Sequence, residues 1–238
     1  MEPAAGLTTL RAAALGRLRS MAHAPGPAAS TPSEFWEERY TSYRRESGQV
    51  WSGEVNAAVA REVEGLTPGT ALDLGCGEGG DALWLGAHGW IVTAVDISST
   101  ALGVARTRAE QLELDDRIDW IRADLASWNP TAEYDLVAAA FLHSPVELAR
   151  ETILRRAAAA VAPGGTLLVV GHGAFPPGSD HEHDPDAPPL PTPDEVLESL
   201  ELPDGWVVET RAMVDRRATG RDGAEVTLTD AVVRVRRA

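Results

Sequence analysis

Short apolar runs and longer segments with helically spaced apolar positions take turns along most of this chain. Residues 71–74, 90–96, 118–124, 134–140 and 166–170 are compact apolar stretches bounded by turn residues. The run 90–96, WIVTAVD, is of the kind found in parallel strands buried on both faces. Helical patterns fall between them, at about 54–66, 79–88, 98–114 and 145–161. Two further strand-like segments, 206–214 and 226–235, close the chain and are separated by the polar stretch 215–224. Three helix starts carry one signature, a Thr or Ser cap, Pro next and Glu three after the cap: Thr31-Pro32-Glu34, Ser144-Pro145-Glu147 and Thr192-Pro193-Glu195.

The chain is organised around residues 71–82, ALDLGCGEGGDA. A strand ends on Asp73 and Leu74, glycines follow at Gly75, Gly77 and Gly79, and a helical pattern begins. Without a Cβ, the backbone can adopt positive φ and approach a ligand at the carboxyl end of a strand. This reads as a nucleotide-cofactor loop. Gly75, Gly77 and Gly80 also fit the dinucleotide fingerprint, so the glycines alone do not choose the cofactor. Asp73 tips the choice, because a carboxylate at the strand end suits a cationic or hydroxyl-bearing ligand better than a pyrophosphate.

The run Asp73, Gly75, Gly77, Gly79 resembles motif I of the class I S-adenosylmethionine-dependent methyltransferases. That resemblance implies an α/β domain with a Rossmann-like, seven-stranded, mostly parallel sheet, helices on both faces and a reversed C-terminal hairpin. It implies S-adenosylmethionine as cofactor, its methionine part held by Asp73, Gly75, Cys76 and Gly77. Asp96 ends the next strand, where the family places its ribose-binding acid. An unpaired carboxylate there would accept both ribose hydroxyls, with Ile97 beside it; the plainer alternative is a cap on the following helix. Asp124, after the third strand, resembles the acid that accepts from the adenine amino group, with Ala123 and Leu125 as backbone contact and apolar wall. The exit of the fourth strand faces the methyl acceptor in this family. Ala140 there is small enough to admit the cofactor, and His143 is the candidate general base or substrate contact, against a structural role bonded to backbone. Ala162-Pro163-Gly164-Gly165 resembles the corner that precedes the reversed hairpin.

The aromatic residues Phe35, Trp36, Tyr40 and Tyr43 lie ahead of motif I, as does Trp51. They either pack on the sheet or form a lid, residues 31–66, over the cofactor; Trp51 is a candidate contact to the sulfonium. The spacing of Trp36 and Tyr40 is similar to the thiopurine and tellurite-detoxifying methyltransferases. Asp81 needs no role beyond favouring its helix dipole.

Composition narrows the partners. A formal charge of −15 repels nucleic acid phosphates and anionic lipid, so a small-molecule acceptor is expected, with neither nucleic acid nor membrane as partner. All 21 basic residues are Arg, which follows base composition rather than mechanism. The single cysteine, Cys76, excludes an intrachain disulfide and points to a reducing, cytoplasmic setting; its nucleophilic use is set against a simple small residue in the turn. Residues 1–30 read as a tail with one helical pattern at 7–21, and Met21 is an alternative start. Residues 31–238 read as one domain. The loop 173–191 carries His181, His183, Asp180 and Asp184, a candidate metal set outweighed by a polar-loop reading, so no metal is assigned. The function expected is methyl transfer by in-line displacement to a sulfur, nitrogen or oxygen nucleophile. The alternatives are an NAD(P)-binding oxidoreductase and a non-catalytic module that binds the same cofactor.

Overall fold

The structure is a computed structural model of the chain, and it describes residues 31–47, 53–175, 189–219 and 225–238. The N-terminal tail, Trp51 and the His181/His183 loop lie outside the described residues. Helices α1 (Pro32–Ser47) and α2 (Ala57–Val63) precede an alternating core of β1 (Thr70–Leu74), α3 (Gly80–Ala87), β2 (Ile91–Asp96), α4 (Ser99–Gln111) and β3 (Ile118–Arg122). Then come β4 (Tyr134–Ala140), α5 (Arg150–Ala159), β5 (Val161–His172), α6 (Pro193–Ser199), β6 (Trp206–Thr219) and β7 (Glu225–Arg237).

One seven-stranded sheet runs in the order β3-β2-β1-β4-β5-β7-β6. The five strands β1 to β5 are parallel neighbours, while β7 is antiparallel to both β5 and β6. The order reverses between β1 and β4, and in open α/β sheets ligands bind at that switch point, beyond the carboxyl ends of the strands. Two apolar cores sandwich the sheet. Leu72, Leu154 and Leu167 anchor one, and Val59, Leu85 and Leu136 the other.

Where element boundaries depart from the sequence reading, side-chain hydrogen bonds decide. The second helix is short because Asn56 caps it, its Oδ1 accepting from the Ala58 and Val59 amides. Asn56 itself is extended, and its amide is held by Asp81 of α3. The segment 145–149 is not helical despite its capping signature. Ser144 Oγ accepts from Val146 N and from Trp36 Nε1, both at 3.2 Å, and α5 starts only at Arg150. The third signature is a true capping box at Thr192 and Glu195, and Thr31 and Glu34 exchange the same pair of bonds.

The Pro-Gly-Gly corner lies inside β5 as a bulge: Tyr134 pairs with Val161, yet Leu136 pairs with Thr166. A Cβ on Gly165 would sit 2.9 Å from the carbonyls of Ala162 and Tyr134, so only glycine fits there.

The largest correction concerns 215–224, which is not all a connecting segment. Residues 215–219 continue β6, paired with 225–229 of β7, and this arm extends past the end of β5, where His172 faces Asp230. Cross-strand polar pairs hold the arm. Arg216 Nε lies 2.7 Å from Asp230, Arg217 3.2 Å from Glu225, and Thr229 Oγ1 donates to Asp215 at 2.7 Å. Opposite charges placed diagonally across a strand pair stabilise extended pairing that hydropathy alone does not signal.

Candidate active site

A cleft of about 590 Å³ opens at the carboxyl ends of β1 to β5, a volume suited to a small-molecule ligand. The turn after β1 forms its floor. Gly75, Gly77 and Gly79 all have positive φ, at 75°, 54° and 81°. Gly75 N and Cys76 N both donate to Val95 O, which ties the turn to β2. Gly79 serves packing: a Cβ there would lie 2.6 Å from the Trp120 ring and 2.9 Å from Ala105.

Asp96 is buried at the end of β2. Its Oδ2 accepts Gly77 N at 2.9 Å and its Oδ1 accepts Ser98 N at 2.8 Å. The carboxylate is therefore not unpaired, contrary to the expectation from sequence. It fastens the glycine turn to the start of α4. Ser98 is the helix cap, its hydroxyl accepting Ala101 N.

Three carboxylates converge here, Asp73 and Asp96 buried and Asp81 half-buried. Burial raises the pKa of Asp73 well above the carboxylate range, and Asp81 and Asp96 raise it further. Burial brings Asp81 up to about 6, against the Asn56 N–H bond to its Oδ1 at 2.7 Å. Asp96 is also raised, first by burial, with its amide donors opposing. Asp81 thus does more than complement a helix dipole: it lines the cleft and holds the segment before α2. Asp73 Oδ2 is buried without a partner among the described residues. Clustered carboxylates with an orphaned oxygen are costly alone and become favourable beside a cation. This donor set fits a cofactor with a sulfonium and an ammonium group.

Cys76 lines the cleft, but burial and the neighbouring Asp96 and Asp73 push its thiol far up, so it stays protonated and unreactive. Ile97, Asp124, Leu125 and Ala140 also line the cleft. Asp124 Oδ1 accepts Ala126 N at 2.8 Å. Ala123 is not among the lining residues. Its amide donates to Asp96 O and its side chain packs against the core.

Helix α1 crosses the cleft. Glu37 accepts from the hydroxyls of Ser98, Ser99 and Thr100 at the start of α4, at 2.8, 3.0 and 2.5 Å. Burial pushes Glu37 up, but these hydroxyl bonds and the Thr100 amide outweigh it and bring it down to about 2. Trp36 and Tyr40 line the cleft from this helix.

At the far end lie His143, His172, Phe141 and the arm. His143 Nε2 is buried and has no partner among the described residues. Burial, then Arg150 and His172, lower its pKa to about 4, so the imidazole is neutral at pH 7. Phe141 has φ of 50° and its carbonyl accepts His143 N at 2.7 Å. This tight strained turn swings the His143 ring toward Gly171, where a Cβ would come 3.0 Å from Nε2. His172 and the arm residues Arg216, Arg217, Ala218, Val226 and Leu228 complete the lining. Sequence reading missed them because their strand ends are polar. The cross-strand charges Arg216 and Asp230 were the available signal.

A methyltransferase domain model matches residues 71–165. Over 166 residues the chain is 31% identical to the 2-heptyl-1-hydroxyquinolin-4(1H)-one methyltransferase of Mycobacteroides abscessus, covering 63% of this chain and 71% of that protein. It is 38% identical over 112 residues to the trans-aconitate 2-methyltransferase of Rhizobium meliloti, covering 45% of this chain and 40% of that enzyme's length. Among solved structures, one described for the conversion of a disulfide bond into a thioacetal group during echinomycin biosynthesis superimposes with a TM-score of 0.60 at 28% identity, covering 84% of this chain and 92% of the other. The chain belongs to the class I S-adenosylmethionine-dependent methyltransferases. It is a transferase with S-adenosylmethionine as its cofactor, and the dinucleotide alternative falls away.

Proposed function

We propose that this enzyme methylates a small-molecule acceptor held in the same cleft as its cofactor. The observation that carries this reading is the continuity of the cleft, from the buried carboxylates after β1 and β2 to the aromatic and imidazole groups after β4 and β5. The cofactor, when bound, supplies a methyl group on a cationic sulfur, open to in-line displacement.

In this reading Asp73 and Asp81, with the turn Gly75, Cys76 and Gly77, hold the cationic methionine part. Asp96 already accepts two amides, and a carboxylate has about four lone-pair directions, so two remain for ribose hydroxyls. Asp124, Leu125 and Ile97 take the adenine side. Ala140 leaves room where the methyl group passes to its acceptor. His143, neutral and lining the cleft, is the residue assigned to accept a proton or a hydrogen bond from the acceptor. Helix α1, fixed through Glu37 and Trp36, excludes water from above, as part of a lid on a single domain of residues 31–238. Catalysis then rests mainly on alignment, which contributes up to about 7–11 kcal/mol in favourable intramolecular cases.

A small acceptor is supported by the relatives named for trans-aconitate and a hydroxyquinolinone. It is also supported by a net charge of −15, which disfavours nucleic acid. No helix among the described residues is long and apolar enough to cross a membrane. With a single cysteine, we assign the protein to the cytoplasm. The test is calorimetric titration with S-adenosylhomocysteine beside NADH, followed by a methyl-transfer screen of thiols, amines, phenols and carboxylates. Micromolar binding of S-adenosylhomocysteine alone and turnover of a small acceptor are expected. Failure of every small acceptor in an enzyme that binds cofactor would overturn the acceptor class.

A further inference from the structure

The cleft is electrically polarised along its length. Its cofactor end carries the buried Asp73 and Asp96 and the half-buried Asp81. The cationic side chains lining it among the described residues are Arg216 and Arg217, and both stand on the β6–β7 arm at the other end. Arg217 is 81% exposed and paired to Glu225, so it faces solvent. Arg216 is 24% exposed and its Nε is bonded at 2.7 Å to Asp230, itself 1% exposed. That single bond through Nε fixes the guanidinium plane. Its two terminal nitrogens make no hydrogen bond with the described residues and remain available as donors.

Beside Arg216 lies a row of rings. The guanidinium carbon is 6.0 Å from the Phe141 centroid. Phe141 and His172 centroids are 4.5 Å apart, and His172 and His143 stack at 5.7 Å with 20° between planes. Such a row offers flat surfaces to a flat ligand. The His143 ring lines this end, its Nε2 buried against Gly171 and without a partner among the described residues. Glu147, an acid that lines this end, is exposed.

We propose that this end of the cleft is the acceptor site for a planar aromatic or heteroaromatic compound bearing an acidic hydroxyl, and that Arg216, held by Asp230, is the residue that selects it. This rests on the methyltransferase reading above. A guanidinium with two open donors favours an oxyanion or a hydroxyl about to lose its proton, and repels an ammonium. A thiolate is a weaker acceptor for the same donors. His143 takes the other side of the oxygen, as proton acceptor while the hydroxyl is intact. Arg216 thereby acts on binding and on the ionisation of the acceptor, separately from the cofactor end.

The probes are 4-nitrophenol and its near-isostere 4-nitroaniline, titrated into the protein saturated with S-adenosylhomocysteine, with phenolate absorbance read in parallel. The wild-type chain should bind 4-nitrophenol at least about tenfold more tightly than 4-nitroaniline and raise the phenolate fraction, the preference expected of one charge-assisted hydrogen bond. Arg216→Lys keeps a cation beside Asp230, and the double variant Arg216→Met with Asp230→Asn removes the pair together, so that neither leaves Asp230 as an uncompensated buried charge. Both should lose that preference while binding S-adenosylhomocysteine as the wild type does. Equal affinity for the two probes, no binding of either, or an undiminished preference in both variants would overturn the proposal while leaving the cofactor reading intact. Absence of S-adenosylhomocysteine binding by the wild-type chain would overturn both.

Discussion

Asp96 and Gly77 are joined by a 2.9 Å hydrogen bond from the glycine amide to the carboxylate, so the acid that ends β2 and the turn that follows β1 form one unit. The same carboxylate holds Ser98, the cap of α4. Asp96→Ala is therefore expected to cost stability as well as affinity. Loss of bonds to a charged acceptor is worth about 1.5–3 kcal/mol. A thermal melt should show a drop of several degrees, and titration should show S-adenosylhomocysteine binding weakened about tenfold or more. An unchanged melt and unchanged affinity would remove Asp96 from both roles.

Cofactor affinity should depend on pH through the buried acids. Burial raises the pKa of Asp81 to about 6, and that of Asp73 is raised as well. Below about 6 the Asp81 carboxyl is protonated and gives a cation no charge to meet. S-adenosylhomocysteine affinity is thus expected to rise from pH 5 to 7 and then flatten. In the ligand-free protein the sign is opposite: an acid with a raised folded-state pKa loses stability as pH climbs from about 4 to 6. Asp81→Asn should blunt both trends, which calorimetry and melts across pH 5 to 8 would check. A wild-type affinity that is flat across this range would contradict the assignment of these acids to the cation.

His143 gives a separate readout. A His143→Ala variant should lower methyl transfer by about a hundredfold or more if the imidazole acts as a base, with S-adenosylhomocysteine affinity unchanged. Its folded-state pKa of about 4 lies below the ordinary value of 6.5. The unfolded chain therefore binds the proton first, and the folded state loses stability as pH falls from 6.5 toward 4. The variant should be less acid-labile in that window. Equal turnover would leave His143 as a packing residue.

The lid can be tested at Glu37, which bonds three hydroxyls of α4. Its pKa is brought down to about 2, so this contribution is full above about 4.5 and fades as pH falls toward 2. Glu37→Ala should speed proteolysis within α1 and weaken S-adenosylhomocysteine binding by several-fold, with little change in far-UV signal. Protection of α1 equal to the wild type would mean that Trp36 and its bond to Ser144 suffice.

The alternation of buried strands and helices, the glycine turn and the acids after β1, β2 and β3 could be read directly from the chain. Each is a local consequence of residue type: apolar runs for buried strands, glycine for positive φ, a carboxylate at a strand end. The family followed from the same residues. What only tertiary structure decided is how those acids are used and what faces them. Asp96 looked unpaired because its donors, Gly77 and Ser98, come from the two ends of a strand crossover. Ser144 looked like a helix cap until the Trp36 indole and the Val146 amide took its hydroxyl. Ala123 sat next to a site residue yet points into the core, because neighbouring positions at a strand end face different ways. Residues 215–219 looked like a polar connection because hydropathy does not register pairing between Arg216 and Asp230. That pairing, formed across strands, carries the β6–β7 arm to the cleft and brings Arg216 to the row of Phe141, His172 and His143.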